Sequence, residues 1–190
     1  MRSIAPIAPS FSTWASWEGG FSSEELDKLQ AMAKSADDSG TVGAGGVNEN
    51  IRRSRTLFVS DGQDDTVWMF ERLAHIIGEM NAQFFRFDLS GMPEGAQLSS
   101  YREEESGCYE WHEDMGGKFS RKLSLVMLLS DINDFDGGDF QIYSGNDVQA
   151  LPKQRGLLLA FPSWVKHRVT PVVRGSRESL VVWVAGPAFR

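Results

Sequence analysis

The sequence predicts a mainly β fold of the α+β class, in which N-terminal helices pack on a jelly roll. Two segments with helical periodicity lie in the first half of the 190-residue chain. From residue 95 onwards, short apolar runs alternate with turn residues, and no helical pattern separates them. Closely spaced strands without intervening helices are typical of a sandwich or a jelly roll, here a double-stranded β-helix.

The helical part is predicted from capping residues and apolar spacing. Ser22, followed three residues later by Glu25, forms a capping box for a helix over residues 22–36. A second and longer helix is predicted over residues 65–85, where large apolar side chains return every three or four positions. His75 lies in that helix without a histidine partner at helical spacing, and we leave it out of the site.

The β part begins with a predicted strand over residues 55–60. Residues 37–50, rich in Asp, Gly, Ser and Asn, are predicted to form a loop, either a mobile connector or a lid over the site. We expect one domain over residues 1–190, with a helical part over about 1–94 and a jelly-roll core over about 95–190. The further predicted strands are 97–102, 108–112, 121–130, 138–143, 156–161, 166–173 and 177–184.

The composition excludes some classes of protein. The net charge of −7 leaves no basic footprint, which argues against a nucleic acid held by its phosphates. Cys108 is the only cysteine, so no intrachain disulfide can form, as expected for a reducing compartment. The first six residues lack the start of a long apolar leader, and no stretch is long and apolar enough for a membrane span. We therefore predict a cytoplasmic protein without a membrane partner.

A candidate metal site combines two of the chain's three histidines with an acid. If the segment around His112 is a strand, His112 and Asp114 point to one face, because side chains alternate with period two. With His167 they offer two neutral imidazoles and one carboxylate, a set that suits Fe(II) and leaves positions open for other ligands. Zinc accepts the same donors and is the competing metal.

Arg177 gives a reason to prefer iron. Ten residues after His167, it shares a strand face with Ser179, and the two offer a fork of donors to a carboxylate. An anionic co-substrate needs such an arginine, whereas hydrolytic zinc has no obvious use for it. The basic segment 52–55 is predicted to be a solvated strand edge, with contact to an acidic partner as the alternative.

From Tyr101 to Pro187 the sequence resembles the 2-oxoglutarate- and Fe(II)-dependent oxygenases, in particular their prolyl 4-hydroxylase-like branch. The segments that carry this resemblance follow the order and spacing of that family over nearly half of the chain. They are Tyr109 to Asp114, Arg121 to Val126, Gly137 to Phe140, Phe161 to Val172, and Gly175 to Trp183.

The resemblance implies a set of roles for the matching residues. His112, Asp114 and His167 would bind Fe(II) and form the catalytic centre. Arg177 would pair with the distal carboxylate of 2-oxoglutarate, which chelates the iron through its other end. The remaining implied contacts are Tyr101 and Ser179 to the co-substrate, and Tyr109, Trp111 and Trp183 on the substrate side, with simple strand packing as the alternative for these last three. Apart from the resemblance, Lys118 lies in the loop that follows the first two ligands, and we expect it to contact an acidic group of the substrate.

The implied reaction is hydroxylation of an unactivated C–H in a prolyl or other amino-acyl substrate, either a peptide or a small molecule. O2 and 2-oxoglutarate would be converted to succinate and CO2, with ascorbate as a candidate reductant. Selectivity is expected from loops 37–50, 61–65 and 115–120, the last being the nearest rim. Two alternatives stay open: a cupin-like metal-binding isomerase or sensor, and a nucleic-acid demethylase, which the acidic composition disfavours. The sequence predicts no oligomeric state.

Overall fold

Thirteen strands in two sheets and two α-helices make up the described part of the fold. The computed structural model describes residues 13–42, 45–63, 65–116 and 118–188. The helices are α1 (Ser23–Lys34) and α2 (Val67–Met80). The strands are β1 (Ala15–Trp17), β2 (Asp38–Ser39), β3 (Arg52–Arg53), β4 (Arg55–Val59), β5 (Ala96–Arg102), β6 (Cys108–His112), β7 (Arg121–Leu128), β8 (Phe135–Gly137), β9 (Phe140–Ser144), β10 (Asp147–Ala150), β11 (Leu158–Pro162), β12 (His167–Val169) and β13 (Val172–Ala185).

The two sheets have different sizes. Within the described residues, the larger sheet has eight strands in the order β1-β11-β7-β13-β5-β4-β2, with β8 also paired to β13. The smaller sheet has the order β10-β9-β12-β6-β3. All pairs of these strands are antiparallel. The prediction of a mainly β jelly roll is confirmed.

Both predicted helices are present. The capping box forms: the Glu25 backbone N–H donates to Ser22 Oγ at 3.3 Å, and the Ser22 N–H donates to the Glu25 carboxylate at 2.8 Å. Helix α2 passes at Met80 into a π-helical turn, Asn81–Phe85, in the last five residues of the predicted helix. In the part of the chain that the structure describes, no helix has the length and apolar character needed to span a bilayer.

Two apolar cores lie on the two faces of the larger sheet. Leu125 of β7 belongs to the core shared with α1 and α2, whereas its neighbour Val126 belongs to the core between the sheets. Strand β7 is therefore apolar at consecutive positions, because both of its faces are covered. The inner face becomes polar at Gln97, Ser99 and Arg177, and this polar region borders the candidate site.

Two segments differ from the predictions. The strand expected over 166–173 is divided: β12 pairs in the smaller sheet, and β13 begins at Val172 in the larger one. Pro171 lies at the division, where it has no N–H to donate to a ladder. The loop expected over 37–50 contains β2 and an isolated bridge between Thr41 and Val47.

Some predictions fall partly outside the described residues. The loops 37–50, 61–65 and 115–120 contain residues 43–44, 64 and 117, which lie outside them. The first six residues, which carry the prediction that the chain has no apolar leader, also lie outside the described residues, which begin at residue 13.

Candidate metal centre

His112 and His167 face each other across β6 and β12. They are direct partners in the antiparallel register, and their ring centroids are 4.1 Å apart. Directly opposed residues of an antiparallel pair point to the same face of the sheet. Both imidazoles therefore line the same cavity, with His167 buried and His112 half-buried.

Asp114 joins the two histidines from a loop, since β6 ends at His112. Its backbone N–H donates to the Ser163 carbonyl at 2.9 Å, and the Ser124 hydroxyl donates to Oδ2 at 2.7 Å. These bonds hold Oδ1 3.8 Å from His112 Nε2 and Oδ2 3.6 Å from His167 Nε2. Asp114 therefore lies on the same side as His112, as predicted, but loop hydrogen bonds place it there and strand alternation does not.

The two imidazoles are held with the same ring nitrogen free. His112 Nδ1 lies 2.7 Å from the Glu110 carbonyl, and His167 Nδ1 lies 2.9 Å from the Val165 carbonyl. A carbonyl only accepts, so each Nδ1 carries the proton and each Nε2 keeps its lone pair. The donor atoms of the two histidines and Asp114 all lie within 4.8 Å of one another.

The pKa shifts of His112 and Asp114 suit the binding of a cation. Burial, together with the nearby His167, lowers the pKa of His112 to about 3, which keeps its imidazole neutral. Burial alone would raise the pKa of Asp114, but the two histidines and the Ser124 hydroxyl lower it below its ordinary value. His112 therefore offers a neutral nitrogen and Asp114 a carboxylate at neutral pH, as a divalent metal requires of its ligands.

A β-bulge decides which aromatic side chains border the centre. His167 pairs with His112 but Val169 pairs with Tyr109, so three steps on β6 oppose two on β12. The extra residue brings Tyr109 onto the His112 face, where the two rings stack with centroids 3.5 Å apart. Trp111 points to the other side, against Tyr143, at 4.6 Å between centroids.

Arg177 is buried in the same cavity as the three candidate ligands. Its guanidinium donates to Ser179 Oγ at 3.1 Å and lies 5.5 Å from the centre of the Tyr101 ring. It forms no ion pair with any carboxylate that the structure describes. Burial lowers its pKa, although an arginine stays protonated in proteins. A buried and unpaired cation in a cavity is suited to an anionic ligand.

The cavity has a volume of about 410 Å³, within the range of small-molecule sites. One wall is held by Arg121, whose guanidinium donates twice to Glu94, at 2.6 and 2.5 Å, and lies 4.0 Å from the Trp183 ring centre. Among the described residues, the buried Trp183 indole N–H meets no acceptor at hydrogen-bond distance, although it lies close enough to Asp114 to lower the pKa of that carboxyl. This wall therefore combines a neutralised arginine with an unused donor near the candidate ligands.

Comparison with known proteins agrees with this geometry. A family model described as the 2OG-Fe(II) oxygenase superfamily matches residues 96–185, the segment that contains all three candidate ligands. The matched segment is just under half of the chain, and over it the chain is similar to this superfamily and to its prolyl 4-hydroxylase-like branch.

Two relatives of this chain are PKHD-type hydroxylases. The one from Teredinibacter turnerae is 36% identical over 95 residues, which cover 46% of this chain and 41% of the relative. The one from Acidovorax ebreus is 26% identical over 174 residues, or 86% of this chain and 74% of the relative. The chain thus spans less than half of the first relative and about three quarters of the second.

Solved structures of other proteins share the fold of this chain. A prolyl-4-hydroxylase from Pseudomonas putida superposes with a TM-score of 0.72 at 19% identity, covering 93% of this chain and 94% of the other. A prolyl hydroxylase from Trichoplax adhaerens, solved with a hypoxia inducible factor peptide fragment, superposes with a TM-score of 0.76 at 15% identity, covering 92% and 84%. At these identities the likeness concerns the fold alone.

The cavity contains most of the residues singled out from sequence. Those that line it are His112, Asp114, His167, Arg177, Tyr101, Ser179, Tyr109, Lys118 and Trp183. Trp111 is the exception: it does not line the cavity, because it directly precedes His112 in β6 and therefore points to the opposite face, against Tyr143. His75 is exposed on α2, as its exclusion anticipated.

The sequence analysis did not predict Arg52 as a cavity residue. Arg52 lines the cavity and is 5% exposed. The prediction of a solvated strand edge over residues 52–55 is wrong at this position. Burial alternates along the segment: Arg52 and Ser54 are buried, whereas Arg53 and Arg55 are half-buried. The period-two alternation of a strand could therefore have predicted that Arg52 is buried, although the residue is charged.

Proposed function

We propose that this chain is an Fe(II)- and 2-oxoglutarate-dependent hydroxylase. The observation that carries the proposal is the shared cavity, which joins the His112, Asp114 and His167 donors to the buried, unpaired Arg177. A metal-binding cupin-like protein without a co-substrate would have no use for that arginine. The acidic net charge of −7 gives no support to a nucleic-acid demethylase.

The residues of the cavity fit both Fe(II) and 2-oxoglutarate. Two imidazoles with free Nε2 atoms and one carboxylate form a nitrogen and oxygen donor set that suits Fe(II) and leaves positions for other ligands. Arg177 and Ser179 fit the distal carboxylate of 2-oxoglutarate, since guanidinium and hydroxyl donors both bind carboxylates. We assign iron to the histidines and Asp114, and the distal carboxylate to Arg177, Ser179 and Tyr101.

Bound iron, together with O2 and 2-oxoglutarate, would supply the oxidising power to hydroxylate a C–H bond, with succinate and CO2 as co-products. The chain's own residues bind and orient these components. Ser124 holds the Asp114 carboxylate, and the Glu110 and Val165 carbonyls orient the two imidazoles. Tyr109 covers the His112 ring.

We propose a prolyl or other amino-acyl group as the substrate. The support is the prolyl hydroxylase fold, and one structural neighbour was solved with a peptide fragment. The exposed side chain of Lys118 lines the cavity and provides a contact at the rim. Ascorbate as reductant remains a proposal from family resemblance.

The test is an anaerobic titration of the Fe(II)-loaded protein with 2-oxoglutarate, followed by visible absorption. We expect a new band that saturates with 2-oxoglutarate. In Arg177→Gln, the 2-oxoglutarate concentration that gives half of the full band should rise on the order of 100-fold. Arg174→Gln is the matched control, because Arg174 is exposed on the same strand and outside the cavity. Iron binding without any band dependent on 2-oxoglutarate would favour the cupin-like alternative.

A further inference from the structure

A second buried arginine, Arg52, lines the cavity without a carboxylate partner. Its guanidinium donates to Ser54 Oγ at 2.8 Å, to the Thr41 carbonyl at 3.0 Å and to Ser99 Oγ at 3.5 Å. All three acceptors are neutral, and no ion pair links Arg52 to any acid within the described ranges. An arginine has five N–H donors, so two remain for a ligand.

Arg52 lies close to the candidate metal centre. Its guanidinium carbon is 4.7 Å from the centre of the Tyr109 ring, which stacks on His112. Ser99, the acceptor of Arg52, is the direct strand partner of Ser179, the acceptor of Arg177. The two arginines therefore reach the cavity from opposite sides of one strand pairing, about 5 Å wide. Both guanidinium groups thus border one shared cavity.

The charges of the loaded cavity leave Arg52 uncompensated. A divalent metal and Arg177 together balance Asp114 and a dianionic 2-oxoglutarate. Arg121 is neutralised by Glu94 through two hydrogen bonds. Two exposed residues of opposite charge, Glu113 and Lys118, complete the charged lining. Arg52 thus remains as a buried positive charge, and such a charge is costly unless a ligand supplies its counter-charge.

We propose that Arg52 binds a carboxylate of the substrate, so that this hydroxylase acts on an acidic amino-acyl compound. The inference rests on the proposed function, because it assumes that 2-oxoglutarate occupies Arg177. The carboxylate is either the terminal carboxylate of an amino acid or peptide, or the side chain of an acidic residue beside the hydroxylated one. Both present the same planar acceptor pair to the guanidinium fork.

The experiment compares acids with matched amides on the anaerobic protein loaded with Fe(II) and 2-oxoglutarate. N-acetyl-L-proline against N-acetyl-L-prolinamide tests a terminal carboxylate, and acetyl-Asp-prolinamide against acetyl-Asn-prolinamide tests a side chain. Binding is measured by titration calorimetry. In at least one pair we expect the acid to bind about tenfold or more tightly than the amide. The pair that shows this preference identifies the source of the carboxylate.

The variants decide whether Arg52 is responsible. Arg52→Gln should abolish the preference for the acid. Arg53→Gln should keep it, because Arg53 bonds to the Glu105 and Ser106 carbonyls and does not line the cavity. Equal binding of acid and amide in both pairs, or a preference that survives in Arg52→Gln, overturns the proposal. If Arg52→Gln does not fold, Arg52→Met replaces it: methionine fills the apolar part of the site without the charge, so a preference for the acid that survives overturns the proposal.

The 2-oxoglutarate band is recorded in the same samples to separate the two proposals. A normal band without any preference for the acid means that the Arg52 site alone is wrong. An absent band means that the proposed function is wrong, and the same acid and amide pairs on the metal-free protein then test Arg52 by itself.

Discussion

The Tyr109 ring stacks on the His112 ring with an interplanar angle of 14°, although three positions separate the two residues on β6. In a regular strand, residues three apart point to opposite faces. The bulge in β6, across from His167 and Val169, adds one residue and so puts Tyr109 and His112 on the same face. The Tyr109 ring therefore packs against a candidate metal ligand. The orientation of His112 thus depends on a bulge as well as on its own hydrogen bond to Glu110.

Tyr109→Ala should weaken Fe(II) binding about tenfold, because His112 loses the ring that restricts its orientation. Tyr109→Phe should keep the affinity, since the stacked ring remains. Burial raises the pKa of Tyr109 to about 12, so its phenol stays protonated and no tyrosinate band with iron is expected at neutral pH. Metal affinity is measured by competition with a chromophoric chelator. Equal affinities of the wild type and Tyr109→Ala would contradict this role.

Ser124→Ala should lower metal affinity by roughly 10- to 100-fold, because Asp114 loses the hydroxyl that orients its carboxylate. Folding stability should fall by only about 1 kcal/mol, the usual net contribution of a hydrogen bond. Ser120→Ala is the control, since Ser120 is exposed and does not line the cavity. Chelator competition and urea unfolding separate the two effects. A loss of stability without a loss of metal affinity would show that Ser124 only supports the fold.

Glu178→Ala should destabilise the fold by about 2 kcal/mol while metal affinity stays unchanged. Glu178 is buried on the opposite face of β13 from Arg177, and it accepts hydrogen bonds from Ser130 and Ser100 at 2.5 and 3.2 Å. Removal of the carboxylate leaves these buried donors without an acceptor. Glu178→Gln should cost less, because an amide oxygen still accepts. The free energy of unfolding in urea measures both variants, and equal stability of Glu178→Ala and the wild type would contradict the prediction.

Cys108 should react slowly with a thiol reagent in the native protein. The residue is 1% exposed, and burial raises the pKa of its thiol, so little thiolate is present or accessible at neutral pH. The release of coloured thiolate from a disulfide reagent is followed with and without urea. We expect fast reaction only after unfolding. A fast reaction of the native protein would place Cys108 at an accessible position.

Local patterns predicted much of the fold and of the site. The capping box at Ser22 and the apolar spacing of α2 are properties of contiguous sequence, and so are the apolar runs of the strands. The cavity likewise contains His112, Asp114, His167 and Arg177 together, as the motif resemblance implied. Side-chain chemistry and the family pattern were enough for these residues.

The orientation of Tyr109 and the burial of Arg52 were decided only by the tertiary structure. A bulge is defined by counting residues on two paired strands, and the partner strand of β6 lies more than fifty residues away in the chain. The environment of Arg52 depends on Thr41, Ser99 and Tyr109, which come from three separate segments. The sequence by itself therefore determined which elements form and which donors can bind a metal. Which side chains share the cavity depends on pairing between distant strands, which local periodicity does not contain.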